Sequence, residues 1–185
     1  MSELKKMITS FKKDGYKPVY FLMGEEPYFI DFLSDHFTNN VISEEEKSFN
    51  QVVLYGKDVS VNDIMSQARQ YPFMGDKMLV VVKEAQELVK TIDQFAAYFK
   101  SVQPSTILVF CYKYKTLDKR KELYKTLSKS EFAEIFESNK LKDYQVEGWI
   151  KTLINDEKLE IEPKAVAMLV EFLGNDLSKI SNEID

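Results

Sequence analysis

One cysteine, Cys111, and one histidine, His36, occur in 185 residues. A single thiol excludes an internal disulfide framework, and one imidazole leaves almost no material for a zinc site. No run of about 18 apolar residues occurs, so no transmembrane helix is predicted. The opening MSELKKMITSFKKDGYKP has Leu4, Met7, Ile8 and Phe11 at helical spacing but lacks the apolar core of a signal peptide. The simplest compartment is the cytoplasm, with the thiol reduced and no membrane partner. GxSxG, GxGxxG and HExxH are also missing. His36 is the one imidazole available to Cys111, which sits inside an apolar run where a small buried residue is the expected role. No spacing selects a pair of carboxylates. Catalytic, metal and cofactor residues are all therefore read as none.

What is present is enough for a substantial core: 44% of residues are hydrophobic and 13% aromatic, with 30% charged residues for the surface. The net charge of −5 argues against a chain that coats itself in nucleic acid, but the charge is uneven. Residues 111–129 carry seven Lys/Arg against Asp118 and Glu122, whereas residues 156–185 carry eight carboxylates against three lysines. A basic segment of this kind is either a solvated face or a contact for DNA or a neighbouring protein.

Strand-like and helix-like runs alternate. Val19–Met23, Phe49–Tyr55, Met78–Val82, Thr106–Tyr112 and Phe132–Phe136 read as strands. The third and fourth do not alternate in polarity, which predicts burial on both faces. Pro27 sits where a helix would begin, followed by Phe29, Phe32, Leu33 and Phe37. Ser60 with Asp63 forms a capping box, and Thr91 with Gln94 is expected to cap a helix bearing Ile92, Phe95, Ala96 and Phe99. Asp118 is expected to open the basic helix. This is α/β: a mostly parallel sheet covered by helices on both faces, over residues 1–140. Residues 141–185 change character to a small helical domain. Its stripes are Val146, Trp149, Ile150, Leu153 and Ile154, then Pro163 to Gly174, then a third helix with Asn175 as its expected cap. The last pattern runs to Asp185 without a C-cap, so the natural chain is expected to continue.

A phosphate loop belongs where the first strand runs through a glycine into a helix. That chemistry needs GxxxxGK[ST]: glycines for close backbone approach, lysine for the phosphates and a hydroxyl for Mg²⁺. The window here is Gly24 to Asp31, with Phe29 at the second glycine position, Ile30 at the lysine and Asp31 at the hydroxyl. Glu25 and Glu26 are better explained as caps at a helix N-terminus. The third strand is followed by Lys83-Glu84, so a lysine stands where a Walker B acid would hold metal. The scaffold is enzyme-like; the residues are those of a non-enzyme.

The turn YPFMGD, residues 71–76, is the other anomaly, since turns are ordinarily small and polar. Tyr71, Phe73 and Met74 either fold back beneath the helix ending near Gln70 or stand out to bind. On the residues alone, folding back is the preferred reading.

Four stretches, PVYFLMGEEPYFID, YPFMGDKMLVVVKEA, LDKRKELYKTL and LVEFLGNDLSKISNEID, together resemble the delta subunit of the bacterial DNA polymerase III clamp loader. They occur in the expected order and cover nearly the whole chain. The resemblance implies an AAA+-like domain without a P-loop, a small helical lid domain, and a collar domain that lies beyond this sequence. It implies a non-hydrolysing subunit that binds the sliding clamp (the beta subunit) and promotes ring opening during DNA replication, alongside other clamp-loader subunits and with DNA reached through the complex. Two adjacent hydrophobic side chains of the family plug into the clamp; laid on this sequence they are Phe73 and Met74, with Tyr71 and Pro72 shaping the approach. Met in place of the family's usual Leu or Phe is a small departure that suits a pocket. Lys119, Arg120 and Lys121 lie where AAA+ relatives contact DNA or partners. Two alternatives stay open: an NTPase with a non-standard nucleotide site, and a DNA-binding module using the basic helix 113–129.

Overall fold

The structure is a computed structural model that describes residues 2–73 and 75–184. The chain forms two compact units, Ser2–Ser138 and Asn139–Asp185.

The first unit is built on five strands, β1 (Val19–Gly24), β2 (Gln51–Tyr55), β3 (Met78–Lys83), β4 (Thr106–Lys113) and β5 (Ala133–Ser138). All pair in parallel, in the order β2-β3-β4-β1-β5. The apolar runs without alternation become β1, β3 and β4, and each is buried almost throughout because helices cover both faces. β2 lies at the edge, with Val53 and Tyr55 exposed. On one face Phe21, Val80 and Phe110 pack with Phe95, Tyr98 and the helices α4 (Val61–Ala68) and α5 (Glu122–Lys129). On the opposite side α1 (Ser2–Asp14) and α2 (Pro27–Asn40) contribute Phe11 and Phe37, whose rings meet Tyr20 at 5.4 and 4.6 Å. A further short helix, α3 (Lys47–Asn50), precedes β2.

The caps at α2 and α4 agree with the sequence. Pro27 is in the first turn of α2, and the Glu26 carboxylate accepts from the Tyr28 N–H at 3.1 Å. Ser60 Oγ accepts from Asp63 N while Asp63 accepts from Ser60 N, the reciprocal pair of a capping box.

Other local expectations change. Residues Ile92–Lys100 form a 3-10 helix, and Thr91 provides no side-chain cap. Ile92, Phe95 and Tyr98 are all buried, and in the tighter helix a spacing of three residues stacks them directly in line. Asp118 does not open the basic helix: it closes a turn by accepting from Arg120 N at 2.9 Å, and α5 begins at Glu122. Phe49 belongs to α3 and not to a strand, and β5 begins one residue after Phe132.

The second unit consists of α6 (Asp143–Asp156), α7 (Pro163–Leu173) and α8 (Leu177–Ile184) among the described residues. α6 packs on both others, and Val146, Trp149, Ile150, Val166, Leu177 and Ile180 are buried. The cap of α8 is Asp176, which accepts from Lys179 N at 3.1 Å, in place of the expected Asn175.

Candidate functional site

Two places in the first unit bear on function: the loop after β1 and the turn before β3. Gly24 ends β1 with φ +139°, and a Cβ built on it would run into the Ser138 carbonyl at the end of β5. Its N–H donates to Lys115 O at 2.9 Å, Glu26 N–H donates to Ser138 O at 3.2 Å, and Ser138 Oγ donates to Glu26 O at 2.7 Å. In a phosphate cradle such N–H groups face the ligand; here they are taken up by protein carbonyls. Phe29 and Ile30 are buried in the core, and Asp31 pairs with Lys113. After β3, Glu84 adopts a left-handed conformation with φ 53°. Among the described residues no cluster of three or more His, Cys, Asp or Glu could hold a metal ion. Cys111 is buried, and that burial pushes its thiol pKa up to about 11, the opposite of a reactive thiolate.

The turn between α4 and β3 is held at its entry, at Phe73 and at its exit. Where it leaves α4, Tyr98 Oη donates to Ala68 O and Thr106 Oγ1 to Gln70 O, both at 3.2 Å. These bonds occupy carbonyls at the helix end that would otherwise lack partners. In the middle, the buried Asn50 accepts from the Phe73 N–H at 2.8 Å, and the Phe49 ring stacks on Phe73 with centroids 5.6 Å apart and planes 26° from parallel. Gly75 reverses the chain at φ +67°, against the Glu46 carboxylate. Beyond it, Lys77 Nζ lies 5.4 Å from the Tyr16 ring centre.

Within this held backbone Tyr71 and Phe73 point outward. Tyr71 is 79% exposed and Phe73 77% exposed, with Pro72 half-buried between them. Phe73 therefore does not fold back under the preceding helix. Met74 lies outside the described residues. Phe49, 55% exposed beside Phe73, is not legible as a site residue in the sequence, where it opens a strand-like run. Its one signal there is an aromatic followed by Asn50, a residue that interrupts strands and favours local turns.

The basic segment is spread over the end of β4, a loop and α5. Lys119 Nζ is 3.5 Å from Glu137 and 5.8 Å from the Tyr124 ring centre. Arg120 pairs with Asp118 at 2.8 Å, and its hydrogen bonds hold the Asp118 carboxyl down at about 2. Lys121 is exposed ahead of α5. The structure thus partners Lys113, Lys119 and Arg120 with carboxylates, diluting the positive field that the composition suggested.

This arrangement defines a class: an AAA+-like α/β domain in which Phe29 and Ile30, in the helix after the first strand, pack into the core. The chain belongs to the DNA polymerase III delta subunit family, whose sequence profile matches residues 20–139. It is 29% identical over 184 residues to DNA polymerase III subunit delta of Bacillus subtilis (strain 168), covering 95% of this chain and 52% of that protein. It superposes on the solved DNA clamp loader delta protein of Bacillus subtilis with a TM-score of 0.79 and 29% identity, over 98% of this chain and 56% of that one. The chain thus spans about half the length of these relatives. Domain III of the Thermotoga maritima replication initiation protein DnaA matches at a TM-score of 0.53 with 10% identity, over 98% of this chain and 80% of that one, a likeness of fold alone.

Proposed function

We propose that this chain is the part of a clamp-loader delta subunit that docks on the sliding clamp of DNA replication. Docking runs through Tyr71, Pro72, Phe73 and Met74 and favours the open ring. The observation that carries this reading is the exposed Phe73 side chain on a backbone pinned by Asn50. Moving a Phe side chain from water into an apolar pocket contributes about 1.5–3 kcal/mol. A turn already held in place loses little conformational entropy on docking. Opening the ring needs no covalent chemistry: a subunit that binds the open ring better than the closed one shifts the equilibrium by that difference. The role is non-catalytic, without a cofactor, in the cytoplasm, in company with other clamp-loader subunits and with DNA met through the complex. The buried Ile30 and the Ser138 carbonyl beneath Gly24 argue against the NTPase alternative.

Pull-down of the sliding clamp by wild type and by Phe73→Ala/Met74→Ala tests the reading. The double variant is expected to lose clamp binding by tenfold or more, the ordinary size for a central aromatic anchor at roughly 1.4 kcal/mol per decade. Retention at wild-type level would remove the assignment.

A further inference from the structure

We infer that Phe49 is a positioning residue for the Phe73 anchor, holding that ring outward in the free chain; the inference rests on the reading of Phe73 as the clamp contact. The two side chains come from different stretches, α3 and the α4–β3 turn. Their rings stack at 5.6 Å while both remain more than half exposed. The same short helix supplies the other restraint on the anchor, since Asn50 accepts the Phe73 N–H, and Glu46 just ahead of α3 lies against Gly75.

A lone exposed Phe on a turn samples several rotamers, of which only some present the ring to a pocket. Affinity then falls by the fraction of time the competent one is occupied. A neighbouring ring stacked on one side narrows that sampling without covering the other side, and Phe73 is left 77% accessible. Hydrophobic burial does not account for Phe49's own position, because it stays 55% exposed. Segment 46–50 therefore acts as a brace whose product is an anchor ordered before the clamp arrives.

A double-variant cycle tests this, with each chain flowed over immobilised sliding clamp and the dissociation constant measured for wild type, Phe49→Ala, Phe73→Ala, the combined variant and Phe49→Tyr. Phe49→Ala should weaken binding about two- to tenfold, the range of one aromatic pair, and Phe49→Tyr should restore it. In the Phe73→Ala background, Phe49→Ala should cost nothing further, because the residue acts through the anchor; a purely structural role would persist there. If the two losses multiply, or if Phe49→Ala binds like wild type while Phe73→Ala does not, the positioning role is wrong and the docking reading stands. If Phe73→Ala itself binds like wild type, the docking reading fails, and this inference with it.

Discussion

Gly24 stands where a nucleotide-binding relative needs a glycine for phosphate, and the structure shows a different reason for keeping one. The Ser138 carbonyl occupies the space of the missing Cβ, and φ is +139°. Gly24→Ala is expected to exceed the roughly 0.5–3 kcal/mol of an ordinary substitution, because both the backbone and β5 would have to move; chemical denaturation measures it, and a change below that range contradicts the packing described. Gly75, at φ +67°, faces only the flexible end of Glu46, so its replacement by Ala carries mainly the left-handed penalty of about 1–2 kcal/mol. Cys111 and the buried tyrosines form a second set. Burial pushes the thiol up to about 11 and raises the Tyr98 and Tyr112 hydroxyls as well. The folded state thus holds its proton on Cys111 where the unfolded chain, with a thiol near roughly 8.5, gives it up. Its contribution is complete below about pH 8.5 and is lost as pH climbs toward about 11. Thermal midpoints should therefore stay level through neutral pH and fall above about pH 9; a flat profile to about pH 11 would contradict this.

The elements show where local pattern suffices and where it does not. The α4 capping box is readable because Ser60 and Asp63 satisfy each other without outside help; Ser60→Ala should cost about 1 kcal/mol of stability. The segment after Thr91 reads as an α-helix by spacing and folds as a 3-10 helix, since three large side chains must enter one core together. α3 escapes the sequence for a similar reason. Four residues are too few for a periodic signal, and its worth lies in what it touches across the turn. At the basic segment, composition overstates the charge because its partners, Asp31 and Glu137, lie elsewhere in the sequence. Replacing Lys119, Arg120 and Lys121 by Gln should weaken DNA-dependent clamp loading by the assembled loader while leaving clamp pull-down intact. Unchanged loading at physiological salt removes a DNA or subunit contact from this segment.

At the scale of the molecule, an AAA+-like sheet has kept its architecture while the loop at its first strand has been closed by protein groups. ATP with Mg²⁺ at about a hundred times a site's dissociation constant would add about 2.7 kcal/mol of stability, so the expected result is an unshifted melting curve, with a raised midpoint reinstating the nucleotide reading. Much of this was determined by sequence alone: the strands, most of the helices, the caps at Pro27 and Ser60, the loss of GK[ST] and the oddity of YPFMGD. Each depends on residues within a few positions of one another, where periodicity and cap chemistry act. Tertiary structure alone decided that β1 runs between β4 and β5, that Ser138 fills the space at Gly24, and that Phe73 stands outward with Phe49 stacked on it. Those outcomes depend on which distant segments meet, and a turn of hydrophobic residues looks the same in the sequence whether the fold buries it or holds it in solvent.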